Sequence, residues 1–247
     1  MAVVSGPEFP GVKRGLVFAV DPLNQESWAG PDSNVTNNIP PLSSTLSGSI
    51  YNDTSGSYGV SSSFAFDGTD DKIQCNYNAD LVSTDQTFSI WVSYNSLPTS
   101  YGPCPFASYQ EGGHAGWALH IGMAGHNYKP TFFSRGGGNT EYVPYGSAIS
   151  TNTWYNFVII AKATAYGNGT ANLVYSIYQD AVAIATNQTN TRYTLPSTKG
   201  FQINDKYNDS AYYGGGNCNI GPTMIYNSAL SAGEILQNYN QLKPRFT

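Results

Sequence analysis

Short runs in which apolar and polar residues alternate recur along the whole chain, separated by clusters rich in glycine and asparagine. In one such run, residues 87–94, Phe88, Ile90 and Val92 fall on one side and Trp91 falls on the other. A period of two is the pattern of a half-buried β-strand, because successive side chains point to opposite faces of a sheet. Aromatic residues make up 14% of the chain and charged residues only 11%. This balance favours pleated sheet over helix, so we predict an all-β fold.

About twelve strands are predicted, with a further short one near Ile50. Their ranges are 16–20, 64–66, 73–75, 87–94, 105–109, 117–121, 131–134, 154–161, 172–178, 182–185, 201–204 and 219–226. Short strands joined by turn clusters are typical of a two-sheet antiparallel jelly-roll β-sandwich. We expect Phe66, Ile90 and Phe157 to share its interior.

One short C-terminal helix is predicted after this strand series. Ser231 and Glu234 have the spacing of a capping box, in which each side chain binds the backbone amide of the other residue. Leu230 and Ile235 are placed to pack together across the start of the helix. Because Pro244 prevents a long continuation, we expect two or three turns.

The domain organisation is predicted as an N-terminal arm, residues 1–14, followed by one domain over residues 15–247. Pro7 and Pro10 break regular structure in the arm, which lacks the basic and apolar regions of a secretion signal. The net charge of −5 argues against nucleic-acid binding. No apolar run approaches the roughly 18 residues of a membrane span, so membrane insertion is not expected.

The cysteines, Cys75, Cys104 and Cys218, are odd in number and far apart in the sequence. Neither a disulfide framework nor metal-type spacing is evident. Three reduced thiols, or one disulfide with a free thiol, are both compatible with the pattern.

Five sequence blocks, in order, resemble the laminin-G-like jelly roll of the concanavalin A-like lectin/glucanase superfamily, in the variant found in marine phage and bacterial proteins. The blocks are GLVFAVD at 15–21, FAFDGTDDKI at 64–73, FSIWV at 88–92, TWYNFV at 153–158 and the segment 219–235. The resemblance implies the sandwich fold and a role in binding, but it does not identify a particular ligand. The chain departs from the family at Pro222, which suggests an edge or bulge, and at Asp180-Ala181, where the usual Asp-Gly or Asn-Gly turn is missing.

Catalysis is not expected. Glycosidases that resemble this chain carry acidic residues as Glu-x-Asp-x-x-Glu on one strand, which supplies the two carboxylates that the reaction needs. None of the glutamates begins such a pattern; they are Glu8, Glu26, Glu111, Glu141 and Glu234. The histidines His114, His120 and His126 are interpreted as polar loop residues, since the glycines between them argue against one continuous strand.

Calcium is the one cofactor that the sequence suggests. Asp67, Asp70 and Asp71 cluster on one predicted hairpin, and Ca²⁺ prefers several such oxygen ligands. Similar domains hold calcium at a rim of the sandwich. The alternative is that Asp67-Gly68 forms an ordinary turn while Asp70 and Asp71 are solvated.

For ligand binding we predict Trp117, Tyr212, Tyr213 and Asn217, which lie in or beside glycine-rich segments. Sugars stack on exposed aromatic rings and form hydrogen bonds to the polar groups of rigid loops. The alternative is ordinary loop packing, or burial against a neighbouring subunit.

The first functional hypothesis is a non-catalytic structural protein of a bacteriophage virion, in capsid decoration or in the tail or fibre. Its arm would bind other virion proteins, many copies or a homo-oligomer would be present, and the sandwich would face host-surface glycans. The alternatives are a glycan-binding adhesin module at the surface of a bacterium, and a domain like those of glycoside hydrolases.

Overall fold

The protein, known from a computed structural model, is described over residues 11–23, 34–36, 47–51, 63–68, 71–75, 85–97, 104–110, 115–121, 124–136, 139–163, 171–193, 202–204 and 216–246. These residues contain fifteen strands and one α-helix. The strands are β1 Leu16–Val20, β2 Asn34–Thr36, β3 Ser47–Tyr51, β4 Phe64–Asp67, β5 Lys72–Cys75, β6 Asp85–Tyr94, β7 Phe106–Gln110, β8 Ala115–His120, β9 Thr131–Gly136, β10 Asn139–Pro144, β11 Trp154–Ala163, β12 Ala171–Gln179, β13 Val182–Tyr193, β14 Gln202–Ile203 and β15 Asn217–Tyr226. The helix α1 covers Ala232–Leu242, and 3₁₀ turns cover Ala124–His126 and Lys243–Arg245.

The strands form two antiparallel sheets. In the described part of the chain, the first sheet has seven strands in the order β1-β15-β6-β11-β12-β13, with β4 also paired to β15. The second sheet has eight strands in the order β10-β9-β8-β7-β14-β5-β3-β2. This confirms the predicted all-β, two-sheet architecture, including the short strand near Ile50.

The main core lies between the two sheets. Phe66, Ile90 and Phe157 belong to one buried cluster in it, as the alternation predicted. Each is at most 2% exposed. Burying an aromatic or aliphatic side chain of this size stabilises the fold by about 1.5–3 kcal/mol, so this interior is the principal source of stability.

A second apolar layer lies on the outer face of the first sheet, beneath α1. Trp91 belongs to this layer, on the side opposite Ile90 and Val92. The helix begins at the predicted capping box: the Glu234 amide donates to Ser231 Oγ, and the Glu234 carboxylate accepts from the Ser231 amide. Leu230 and Ile235 are both buried in the same cluster. The predicted helix and its cap are therefore confirmed, and its 11 residues agree with the predicted two or three turns.

Residues 11–14, the last of the predicted arm, lie against this helix. The Val12 amide donates to Asn238 Oδ1 at 2.8 Å, and Arg14 Nη2 lies 3.0 Å from Glu234 Oε1. Residues 1–10 lie outside the described part. None of the helices among the described residues has the length and apolarity that a membrane span requires.

Pro222 lies at a bulge in β15, as its missing amide led us to expect. The pairing of β15 with β6 shifts register between Ile220 and Thr223. On the other side, β15 pairs with β4 up to Ile220 and with β1 from Thr223 onwards. Proline is tolerated because the change of partner falls where no ladder hydrogen bond is needed.

The hairpin between β12 and β13 forms without a glycine. Asp180 and Ala181 have φ angles of 51° and 64°, so both occupy the left-handed region that a two-residue hairpin turn requires. Hydrogen bonds hold the turn: the Asp180 amide donates to the Asn156 carbonyl, and Asp180 Oδ1 accepts from the Asn156 amide, each at 2.8 Å. The departure from the family pattern is thus compensated by a bond to the neighbouring strand.

Replacing Asp180 by asparagine should raise the free energy of unfolding slightly at pH 7 and less at pH 4. Burial raises the pKa of the Asp180 carboxyl, while its hydrogen bond to Asn156 and the charge of Lys243 act in the lowering direction. A carboxyl whose pKa is higher in the folded state supports folding in its neutral form, and that support is lost as the pH rises through the folded pKa. The introduced amide would keep the acceptor without the charge.

Urea denaturation of both proteins at the two pH values measures this effect. Asparagine also tolerates a positive φ, which adds a contribution independent of pH. The electrostatic contribution is therefore obtained by subtraction: the stability difference between variant and native protein at pH 4 is subtracted from the same difference at pH 7. A variant that loses more stability at pH 7 than at pH 4 would contradict the prediction.

Candidate functional site

The candidate site lies at the end of the sandwich where β4, β6 and β15 meet. Asn217, the first residue of β15, pairs with Asp67, the last residue of β4. Gly68 follows with a φ of 85°, and a Cβ at this position would lie 2.8 Å from the Asn217 backbone nitrogen. Only glycine allows this approach, so the turn holds the start of β15 rigidly against the hairpin.

Three asparagine side chains form a hydrogen-bonded row at this end, which we call the asparagine rim: Asn95, Asn217 and Asn219. Asn219 Nδ2 donates to Asn95 Oδ1 at 3.1 Å, and Asn95 Nδ2 donates to Asn217 Oδ1 at 2.7 Å. The Asn95 amide also donates to the Asn217 carbonyl at 2.9 Å. Asn217 and Asn219 share the outer face of β15 because they are two residues apart, while Cys218 and Ile220 point into the core.

The two ends of the asparagine rim differ in chemistry. Each amide offers two donor hydrogens and an oxygen with two lone pairs. Within the described residues, no bond engages the Asn217 NH₂ group or the Asn219 oxygen, and Asn95 is exposed. The rim therefore presents a donor at one end and an acceptor at the other, in side chains that are already ordered by their bonds to each other.

A buried asparagine supports the rim from inside. Asn204 Nδ2 donates to the Asp71 carbonyl at 3.0 Å and to the Gly216 carbonyl at 3.3 Å, and Asn204 Oδ1 accepts from the Gly216 amide at 2.8 Å. Gly216 precedes a strand of the first sheet and Asp71 precedes a strand of the second. Asn204 thereby joins the two sheets directly behind the start of β15.

The predicted calcium residues are brought together only in part. Asp67 is exposed, but Asp71 is 1% exposed, and its Oδ2 accepts from the Asp67 amide at 2.9 Å. Asp70 lies outside the described residues. Calcium needs six to eight oxygen ligands, and no group of three or more potential metal ligands occurs in the part of the chain that is described. These residues do not by themselves make a calcium site, and the calcium prediction stays a prediction.

The prediction for Trp117 is wrong. Its side chain is 0% exposed and belongs to the core between the sheets. Its ring packs against Phe88, Phe106 and Phe132, with centroid distances of 4.6, 5.8 and 5.9 Å. A ring enclosed in this way has no face left for a ligand from solvent.

Of the other predicted ligand residues, Asn217 lies in the rim, whereas Tyr212 and Tyr213 lie outside the described residues. Asn95 and Asn219 were not among the residues predicted from the sequence. Asn219 could have been predicted, because it lies two residues after Asn217 and therefore on the same face of the strand. Asn95 is 122 residues from Asn217 in the sequence, and only the strand register reveals their contact.

Two buried thiols, Cys104 and Cys218, lie near the same end. Cys218 Sγ donates to Asn204 Oδ1 at 3.3 Å, and burial raises the pKa of the Cys218 thiol strongly. Cys104 Sγ lies 3.3 Å from Nδ1 and 3.4 Å from Nε2 of His120, which is itself buried. The side chain of Cys75 is not among those described. His120 is thus a buried residue of β8, which corrects its interpretation as a loop histidine.

A two-sheet antiparallel sandwich of this kind has the jelly-roll architecture of lectin-like domains. The sequence model of the concanavalin A-like lectin/glucanases superfamily matches residues 67–236, and the chain belongs to that family. No curated protein sequence matches the chain.

Solved structures share the fold at low sequence identity. A Trypanosoma rangeli sialidase in complex with the inhibitor DANA is 17% identical with a TM-score of 0.66, over 100% of this chain and 37% of the other. The binding domain of botulinum neurotoxin serotype D/C is 14% identical with a TM-score of 0.62, over 92% of this chain and 52% of the other. The present chain therefore spans between about a third and about a half of these proteins, and the likeness establishes the fold alone.

Proposed function

We propose that this protein is a non-catalytic carbohydrate-binding module that recognises glycans at the asparagine rim. The observation that carries the proposal is the row of three amides, ordered by mutual hydrogen bonds, in which no described residue engages the Asn217 donor or the Asn219 acceptor. Sugar hydroxyls both donate and accept, so a glycan that lies along the row can accept from Asn217 at one end and donate to Asn219 at the other. Because the amides are already fixed, binding costs little side-chain entropy.

Four of the six carboxylates whose side chains are described have structural roles, which supports a function without catalysis. Asp21 binds Arg245, and Asp71 binds the Asp67 amide. Asp180 binds the Asn156 amide, and Glu234 caps α1. These four carboxyl groups hold the fold together in separate places, whereas glycoside hydrolysis needs two facing each other across the scissile bond.

The location of the module is a further part of the proposal: the surface of a bacteriophage virion, with the arm bound to other virion proteins. The resemblance of the five sequence blocks supports this location, and an adhesin at a bacterial surface is the alternative. Mass spectrometry of purified particles tests it. Stoichiometric amounts of this chain in the particles are expected; its absence from them would favour the adhesin.

Replacing Asn217 by aspartate should weaken glycan binding about tenfold. The introduced carboxylate keeps an oxygen that accepts from Asn95 but lacks the free NH₂ donor, and a hydrogen bond of this kind contributes about 0.5–1.5 kcal/mol. A glycan array with the native protein identifies the ligand, and calorimetry then compares the dissociation constants. Asn240→Asp, at an exposed position on α1, is the matched control with the same change of charge.

Two results would count against this function: an array without a hit, or equal affinities for native protein and Asn217→Asp. The array is repeated with EDTA to test calcium separately. Binding lost in EDTA and restored by Ca²⁺ is expected if the hairpin of Asp67 and Asp71 completes a calcium site. Binding that is unchanged in EDTA leaves the rim as a metal-independent site.

A further inference from the structure

Two tryptophans lie together in the apolar layer on the outer face of the first sheet, opposite the main core. Trp91 is on β6 and Trp154 begins β11, which pairs with β6. The ring of Phe246 covers both: it stacks on Trp91 at 4.5 Å with an interplanar angle of 20°, and it lies 4.6 Å from Trp154 at 46°. Tyr239 of α1 stacks on Trp91 as well, at 5.5 Å.

The cover is a short segment, residues 243–246, which we call the clasp. One ion pair ties it to the body: Arg245 Nη1 and Nη2 donate to the two carboxylate oxygens of Asp21, each at 2.7 Å. The Phe246 amide donates to the Lys243 carbonyl at 2.9 Å. None of these bonds belongs to a strand ladder, so the clasp can separate from the sheet without unpairing a strand.

The sheet is shaped to receive a flat ring at this place. At Gly221, on the neighbouring β15, a Cβ would lie 2.8 Å from Phe246 Cζ and 3.1 Å from Trp91 Cβ. The missing side chain therefore opens the space that the phenyl ring fills. Phe246 is only partly buried, so the ring is reached from solvent.

The clasp leaves polar groups unsatisfied. Trp91 is 2% exposed, and its Nε1 has no hydrogen-bond partner in the described structure; the same holds for Arg245 Nε. A buried indole N–H normally finds an acceptor, and leaving a donor unpaired costs about 1–3 kcal/mol. The phenyl ring of Phe246 stacks on the indole of Trp91. It offers no atom that could accept a hydrogen bond from Trp91 Nε1.

We propose that Trp91 and Trp154 form a second sugar-binding surface, which the clasp occludes by placing Phe246 where a pyranose ring stacks. A neutral sugar with equatorial hydroxyls presents its C–H face to the two indoles, in the place that the phenyl ring of Phe246 fills. Phe246 acts as an internal competitor, so the apparent affinity is reduced by the fraction of molecules in which the clasp is closed. This site is separate from the asparagine rim and does not depend on the proposed function.

Titration with cellohexaose, followed by tryptophan fluorescence and calorimetry, tests the proposal. Phe246→Ala should bind cellohexaose at least about tenfold more tightly than the native protein, because the competitor is gone. Adding Trp154→Ala to Phe246→Ala should abolish the gain. Thr189→Ala, at an exposed position on the edge strand β13, should leave the gain unchanged.

A folded Phe246→Ala protein, with a cooperative melt and red-shifted tryptophan emission, that gains no affinity overturns the proposal. If Phe246→Ala does not fold, Arg245→Gln takes its place, since it frees the clasp from Asp21 and keeps the phenyl ring. A smaller gain is expected for Arg245→Gln, and equality with the native protein overturns the proposal in that case too.

Discussion

Replacing Trp117 by alanine should destabilise the protein by about 3–5 kcal/mol, the range for deleting a large aromatic side chain from a core. The ring lies among Phe88, Phe106 and Phe132 and is fully buried. Since domains are typically stable by only about 5–15 kcal/mol, this single change removes a large part of the total. Urea denaturation gives the loss, and the melting temperature should fall by roughly 10 °C.

Trp117→Phe is the matched control. It keeps an aromatic ring in the core and removes the indole N–H, which is buried without a hydrogen-bond partner among the described residues. Relief of that unpaired donor offsets part of the lost volume, so the phenylalanine variant should retain most of the stability. A Trp117→Ala protein of native stability that had lost glycan binding would instead restore Trp117 as a ligand residue.

The contrast between Trp117 and Trp91 shows how far the sequence predicts the fold. The alternation of Phe88, Ile90 and Val92 against Trp91 assigns each side chain to the correct face of β6. The same alternation exists at Trp117, because Leu119 and Ile121 follow it at every second position. All three side chains are buried in the core. The neighbouring glycines suggested a ligand-binding loop, so Trp117 was predicted as a ligand residue in spite of this alternation.

Features that depend on pairing between distant segments could not be predicted. The rim requires Tyr94 to lie opposite Cys218, which brings Asn95 beside Asn217. No local pattern contains that register, because many registers satisfy the alternation equally well. The strand β10 was missed for a related reason: half of its six residues are Asn, Thr and Glu, it ends at Pro144, and it is identified by its pairing with β9.

The clasp belongs to the same class of features. Sequence patterns predicted the capping box of α1 and the end of the helix near Pro244. They contained no indication that Phe246 returns to cover Trp91, because that contact joins residues far apart in the sequence. Gly221 looked like one more residue of a strand, and its role becomes evident only when the phenyl ring lies against it.

Removing Phe246 should cost about 2–3 kcal/mol of unfolding free energy, somewhat less than a fully buried phenylalanine, because the ring is only partly buried. The emission of Trp91 and Trp154 should shift to longer wavelength as water reaches their rings. Leu236→Ala, at a position on α1 that is 49% exposed, is the control for truncating an apolar side chain. It should change neither the emission nor, by more than about 0.5 kcal/mol, the stability.

The contact itself is measured by combining Phe246→Ala with Gly221→Ala. In the native protein the new methyl group would meet the phenyl ring at 2.8 Å, and overpacking of this kind costs about 1–3 kcal/mol. In the Phe246→Ala background the ring is absent, so the cost of Gly221→Ala should fall by at least about 1 kcal/mol. Such non-additivity is what a direct contact produces in a double-mutant cycle.

Gly233→Ala is the matched control for the glycine substitution. A Cβ at Gly233, in the first turn of α1, has only Ser231 Oγ within reach, at 4.0 Å. This change should therefore be neutral or stabilising in both backgrounds, since alanine has the higher helix propensity. Strict additivity of Gly221→Ala and Phe246→Ala would mean that the phenyl ring does not rest on the sheet. The inference of an occluded surface at Trp91 and Trp154 would then lose its structural basis.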